Sequence, residues 1–139
     1  MKRFATAVWE GGVKTGKGML TTETGVLSQT PYSFSARFEN GQETNPEELV
    51  AAGHAGCFTM DLSGRLERAG IKGRIETRAT LTLEKGEKGF AVSGIHLDVA
   101  AHIPGADEKT FQEAVGKAKE NCPVSRLLNT AITVSARMA

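Results

Sequence analysis

Between residues 74 and 84 the side chains alternate in character. Ile75, Thr77, Ala79, Leu81 and Leu83 fall on one side, and Glu76, Arg78, Thr80, Thr82 and Glu84 on the other. A period of two predicts a strand with one face buried. After the turn segment "KGEKG", Phe90 and Val92 keep a common phase, but Ile95, Leu97, Val99 and Ala101 take the opposite one. One extra residue near Gly94 restores the register, so the pattern predicts a hairpin with a β-bulge there. The C-terminal "AITVSARM" alternates again, with Ile132, Val134, Ala136 and Met138 together. Near the N-terminus "RFATAVW" (3–9), "MLTTETGVLSQ" and "YSFSARF" are rich in β-branched, Thr and aromatic residues and read as strands.

The period lengthens to that of a helix over about 46–69. Asn45 suits the N-cap, Pro46 the first helical position, and Glu48 stands at capping-box spacing from the cap. Gly70 suits the left-handed residue that ends many helices. A second helix, about 107–120, gathers Phe111, Ala114, Val115 and Ala118 on one face, and Cys122 continues it. Pro123 then opens a short third helix in "VSRLLNT". Strands, helix, hairpin, helices and a last strand predict an α+β fold with a largely antiparallel sheet and a long central helix. With 139 residues and no repeat or linker, residues 1–139 are expected to form a single domain.

Composition narrows the partners more than the fold. Hydrophobic residues make up 40% and charged residues 24%, ordinary for a folded chain. Seventeen basic and sixteen acidic residues leave a net charge of +1 with no basic run. Nucleic acid and anionic membrane surfaces therefore gain no electrostatic attraction. No apolar run reaches bilayer length, and Glu10 interrupts the start "MKRFATAVWEGG" before a signal-peptide core forms. A cytoplasmic location is expected. In that reducing setting the two cysteines are expected to be free, catalytic or redox-active.

"GGVKTGKG" matches most of a phosphate-binding loop, but Gly18 stands where a magnesium-binding hydroxyl is needed. A strand follows rather than a helix N-terminus, so a glycine-rich hairpin turn is expected instead.

Cys57 follows a run in which five of the six residues 51–56 are Ala or Gly. Glycine costs a helix about 1 kcal/mol relative to alanine, so Gly53, Gly56 and Gly64 predict close packing against the helix faces. A free cysteine is often no more than a small buried hydrophobe, and the residue types alone leave that open for Cys57 and Cys122. Cys122 has one distinguishing feature. If Pro123 starts a helix, Cys122 is its N-cap, and its sulfur faces unpaired backbone N–H groups, a more reactive setting than an apolar pocket.

Taken together, "TNPEELVAAGHAGCFTM", "SARFENG" and "NCPVSRLLN" resemble the OsmC family of osmotically inducible hydroperoxide reductases, relatives of the organic hydroperoxide resistance proteins. The match runs in order along essentially the whole chain. The resemblance implies an intertwined α+β homodimer with sites at the subunit interface. It implies reduction of organic hydroperoxides, and less readily of hydrogen peroxide, by thiol chemistry without metal or flavin. It makes Cys57 the peroxidatic cysteine and Cys122 the resolving cysteine. It makes Arg37 the arginine that stabilises the thiolate, and Glu47 the glutamate that holds that arginine. A dithiol reductant such as a lipoyl protein is implied as the electron donor. The extended segment carrying Arg37 is closer to the OsmC branch than to its sister branch.

Elementary chemistry is consistent with these roles. A thiolate attacks a peroxide oxygen and becomes a sulfenic acid, and a thiol with pKa about 8.5 needs a cation beside it to ionise at neutral pH. A guanidinium supplies that charge at any working pH, and a carboxylate can fix its direction through a bidentate pair. Glu47 precedes Cys57 by ten positions on one helix, roughly 15 Å of rise. If the two share a site, a two-fold partner must bring its glutamate across, so an obligate dimer is expected. Met60, Phe38 and Phe111 are candidates for an apolar wall. His54 could serve Cys57 as a base, or join both cysteines on zinc, but no Cys-x-x-Cys or fourth ligand accompanies it; a satisfied core or outward-facing histidine is expected, and no metal. Arg126 is expected to be solvated. The competing function is a redox-sensing or hydrophobic-ligand-binding dimer without multiple turnover.

Overall fold

The computed structural model describes residues 1–139. The chain divides into two compact units, Met1–Leu49 and Val50–Ala139. In the first, β1 (Ala5–Glu10), β2 (Lys17–Thr22) and β3 (Thr30–Tyr32) form an antiparallel sheet in that order. The glycines of "GGVKTGKG" make the β1–β2 turn, where the Gly16 N–H donates to the Gly12 carbonyl at 2.7 Å. The strand expected over "MLTTETGVLSQ" stops at Thr22, where a turn is closed by Thr22 N–H donating to Leu27 O at 2.9 Å.

"YSFSARF" departs further from expectation. Only Tyr32 belongs to a strand, and Phe34–Phe38 form a short helix, α1. Ser33 is the reason: its hydroxyl accepts from the Ala36 N–H at 3.0 Å, the N-cap bond that turns an aromatic-rich segment helical. Arg37 therefore lies on a helix rather than on an extended segment.

The long helix α2 runs Pro46–Arg68. Asn45 caps it, with its Oδ1 accepting from the Glu48 N–H at 2.7 Å. The Glu48 carboxylate accepts from the Thr44 hydroxyl at 2.7 Å, so that side of the capping box is met by a neighbouring side chain. Gly70, at φ 77°, ends the helix as expected. Ile71 N–H reaches Leu66 O and Gly70 N–H reaches Glu67 O, each at 2.9 Å, the paired bonds of a Schellman motif.

In the second unit β4 (Arg74–Gly86), β5 (Gly89–His102) and β6 (Ala131–Met138) form a sheet in the order β4-β5-β6. The hairpin β4–β5 is antiparallel, and its register shifts where Thr82 faces Gly94 while Leu83 faces Val92, leaving Ser93 as the bulge residue. β6 runs parallel to β5. A parallel return needs a long crossover, supplied by α3 (Glu108–Asn121) and α4 (Pro123–Leu127). The mixed α+β architecture with antiparallel-rich sheets agrees with the sequence expectation.

The core joins Phe58, Leu62 and Leu66 of α2 to Ile95, Leu97, Val99 and Ala101 of β5 and to Phe111, Val115 and Ala118 of α3. The residues of α2 that are buried, His54, Phe58, Leu62 and Leu66, recur every four positions and form one stripe. Away from that stripe Met60 is 78% exposed, and a Cβ added at Gly53 or Gly56 would meet nothing within 4 Å. The close approach expected of these glycines is not made within the chain.

Candidate active site

Cys57 sits on α2 one turn beyond His54, half-buried against the core. Cys122 is wholly buried and ends α3 while capping α4. Pro123 fixes this junction, because proline cannot prolong α3 yet is well suited to the first position of α4. The two sulfurs lie 3.1 Å apart, with the Cys122 thiol donating to Cys57 Sγ. Both are free thiols. The separation exceeds the covalent bond of about 2.05 Å, and closing it takes a shift of little more than an ångström.

Cys122 Sγ itself accepts from Ser125, from the backbone N–H at 3.4 Å and from the hydroxyl at 3.4 Å. His54 Nε2 and Ser125 Oγ are 2.8 Å apart. His54 is fully buried, as one of the two sequence expectations had it, and its Nδ1 has no hydrogen-bond partner. Burial holds its pKa below the usual histidine value, so the ring is neutral.

Burial pushes the Cys57 thiol up. The nearby Val124 backbone N–H works the other way, whereas the Cys122 thiol and the Asp61 carboxylate raise it further. Of these influences only one backbone N–H favours the thiolate. Asp61 forms an ion pair with Arg65 one turn on.

Arg37 and Glu47 meet in the first unit, where Arg37 Nε donates to Glu47 Oε1 at 2.7 Å. The pair is poised between water and burial: the arginine side chain is 42% exposed and the glutamate side chain 15%. Glu47 Oε2 is buried with no partner. The guanidinium lies 5.1 Å over the Phe38 ring, a cation–π distance. Asn45 holds this segment from below, because its Nδ2 donates to Ala36 O at 3.0 Å while its Oδ1 caps α2. Beside the arginine opens a cavity of about 240 Å³ lined by Trp9, Val13, Tyr32, Phe34 and Phe38. Of the three apolar candidates only Phe38 lines it. Phe111 is wholly in the core, and Met60 is exposed. Arg126 is exposed as expected.

Ser125, Asn45 and Asp61 were missed as site residues. The signal for Ser125 was present: it stands three after Cys122, where the N–H that bonds an N-cap side chain lies.

The fold and the two touching thiols define a two-cysteine α+β protein. The family profile described as OsmC-like protein matches residues 39–137, and the chain is 48% identical to the peroxiredoxin OsmC of Escherichia coli (strain K12) over 129 residues, covering 92% of this chain and 90% of that protein. This chain belongs to the OsmC family. It is also 32% identical to the organic hydroperoxide resistance protein OhrB of Bacillus subtilis (strain 168) over 111 residues, 78% of this chain and 79% of that one. The crystal structure of OhrB of Bacillus subtilis superposes with a TM-score of 0.72 at 29% identity, covering 98% of each chain. An OsmC-like protein from Vibrio cholerae shares the fold at a TM-score of 0.80 and 15% identity, over 99% of both chains. No helix is long and apolar enough to cross a membrane.

Proposed function

We propose that this protein is a thiol peroxidase that reduces organic hydroperoxides, and hydrogen peroxide more weakly, through a sulfenic acid on Cys57 and an intrachain disulfide with Cys122. The observation that carries this is the 3.1 Å between the two sulfurs. The names of its relatives, a peroxiredoxin and an organic hydroperoxide resistance protein, support the same chemistry.

The Cys57 thiolate attacks one peroxide oxygen. The O–O bond breaks, the alkoxide takes a proton and leaves as the alcohol, and the sulfur becomes a sulfenic acid. Cys122 then forms the S–S bond as the sulfenic oxygen departs as water. An external dithiol, of which a lipoyl protein is one example, reopens the disulfide by thiol exchange. Burial works against the first step because it disfavours the thiolate of Cys57. A cation is therefore required, and Arg37, aimed by Glu47, is the group assigned to it. Its always-charged guanidinium can hydrogen-bond both sulfur and peroxide. The aromatic cavity beside Arg37 suits the apolar tail of an organic hydroperoxide better than hydrogen peroxide.

The working unit is a cytoplasmic homodimer in which residues 1–139 act as one domain. The open face of α2 around Gly53 and Gly56 supports this, because small residues let a second backbone approach. Sedimentation at micromolar concentration should give twice the chain mass; a monomer would overturn that part.

Mass spectrometry of the wild type, Cys57→Ser and Cys122→Ser after one equivalent of cumene hydroperoxide tests the chemistry. The expected products are loss of two hydrogens in the wild type, gain of one oxygen in Cys122→Ser, and no fast change in Cys57→Ser. Rapid oxidation of Cys57→Ser would reverse the assigned roles. With a dithiol donor, consumption of many equivalents identifies an enzyme, whereas arrest after one identifies a sensor.

A further inference from the structure

We propose that Ser125 and His54 are parts of the resolving step: Ser125 stabilises the charge that builds on Cys122 as it attacks oxidised Cys57, and His54 positions Ser125. This rests on the function proposed above and assigns two residues to the half of the cycle that Arg37 and Glu47 do not serve. The observation is a chain of four polar groups in hydrogen-bond contact, buried from His54 to Cys122 and half-buried at Cys57. His54 Nε2 lies 2.8 Å from Ser125 Oγ. The Ser125 hydroxyl donates to Cys122 Sγ at 3.4 Å, and the Ser125 N–H reaches the same sulfur at 3.4 Å. The Cys122 thiol donates to Cys57 Sγ at 3.1 Å.

With the Ser125 hydroxyl hydrogen directed at sulfur, its oxygen accepts from His54 and the ring hydrogen lies on Nε2, and the proposal takes this tautomer. That tautomer also accounts for the other ring nitrogen. Nδ1 is buried without a partner, and a bare lone pair in such a place costs less than an orphaned N–H or a buried imidazolium. His54 is thus a neutral donor rather than a base. Hydrogen bonds aligned in one direction polarise one another, so the Ser125 donor is strengthened by the ring behind it.

The chemistry balances without an outside base. When Cys57 carries the sulfenic acid, the Cys122 S–H proton passes to the sulfenic oxygen. The S–O bond breaks, water leaves, and the S–S bond forms. The Cys57 sulfur is reduced from sulfenic to disulfide level, and the Cys122 sulfur is oxidised to it. As the proton departs, negative charge grows on Cys122 Sγ, in a site closed to water. The two Ser125 donors are the groups present to hold it, and hydrogen bonds to a developing charge are about twice as strong as neutral ones.

The experiment is rapid-quench mass spectrometry after one equivalent of cumene hydroperoxide, with dimedone in the quench to trap sulfenic acid. Wild type, Ser125→Ala, His54→Gln and His54→Phe are compared, and thermal melts run alongside. Ser125→Ala should slow disulfide closure by about tenfold to a hundredfold, so that trapped sulfenic acid accumulates. His54→Phe should slow closure too, whereas His54→Gln, whose amide can donate to Ser125 but cannot take up a proton, should restore most of the rate. Closure in Ser125→Ala at the wild-type rate would overturn the proposal. So would a His54→Gln closure as slow as that of His54→Phe, which would make the histidine a base. If the wild type itself forms neither sulfenic acid nor disulfide, it is the peroxidase function that fails. Ser125→Ala, the mildest change, keeps the test decisive should either His54 variant melt early.

Discussion

Met1–Leu49 and Val50–Ala139 treat burial in opposite ways. The buried apolar side chains all fall between Phe58 and Cys122. In the first unit Gly18 alone is classed as buried, and Phe4, Val8 and Met19 of its sheet region stay open at 66%, 43% and 36%. A segment of that length rarely builds a sufficient core by itself. The difference bears on the two parts of the candidate site. The close-packed core that holds the two sulfurs also disfavours the Cys57 thiolate. The Arg37–Glu47 pair stands in the open unit, with the guanidinium partly in water and one carboxylate oxygen buried without a partner.

That contrast is broken most directly through stability. Phe58→Ala, in the core of the second unit, should cost about 3–5 kcal/mol in urea unfolding. Val8→Ala, on β1, should cost under about 0.5 kcal/mol where its surface stays solvated. A Val8 loss comparable to that of Phe58, and growing on dilution, would show that a second copy covers β1 and that the first unit borrows its core.

The next largest effect concerns charge. Arg37→Met should lower kcat/KM for cumene hydroperoxide by about a hundredfold to a thousandfold, the scale for removing one donor to a developing charge. Arg37→Lys should recover little, because an ammonium lacks the Nε–H that donates to Glu47 Oε1 while the rest of the guanidinium stays free to donate elsewhere. A steady-state assay with a dithiol donor reads both. Activity unchanged in Arg37→Met would detach the first unit from the chemistry of the second.

Asn45→Ala should be milder, costing about 1 kcal/mol for the lost cap of α2. Because the same side chain holds Ala36, next to Arg37, kcat/KM should fall with it, by less than in Arg37→Met. Full activity in a destabilised Asn45→Ala would show that α1 keeps Arg37 in place unaided.

Much of this was legible in the residues, for identifiable reasons. Periodicity found β4, β5 and β6 because one face of each meets the core and the other does not, and the phase change between Val92 and Ile95 located the bulge. Caps found the ends of α2, since Asn45 and Gly70 act through local bonds. The helix α1 was not legible from pattern. One serine hydroxyl decided it against the aromatic content of "YSFSARF". The parallel pairing of β6 with β5 was hidden as well, because alternation reports which face is buried and not the direction of the neighbour. In the site, types and spacing singled out both cysteines but not their contact, which depends on how α2 and the α3–α4 junction pack. Asp61 was hidden by its ordinariness, an acid paired with an arginine one turn on, whereas Ser125 was marked by its place three after the Cys122 cap.

The smallest effect tests the electrostatics of Cys57 through pH. Its thiol is held up first by burial, then by Cys122 and Asp61. Only the thiolate reacts, so the rate of sulfenic acid formation should rise with pH as Cys57 loses its proton, with a midpoint above that of an unhindered thiol in any variant lacking its cation. Arg37→Met should move the rise to higher pH, since a cation favours the ionised sulfur. Asp61→Asn should move it to lower pH, since removing a nearby negative charge has the same sign as adding a positive one. The second shift should be the smaller, because Coulomb interaction with Asp61 is the last of the influences on Cys57 and Arg65 already pairs with that carboxylate. Stopped-flow rates across pH in Cys122→Ser, where closure cannot interfere, measure both. A midpoint that rises in Asp61→Asn would mean that releasing Arg65 disturbs α2 around Cys57 more than the lost charge helps it.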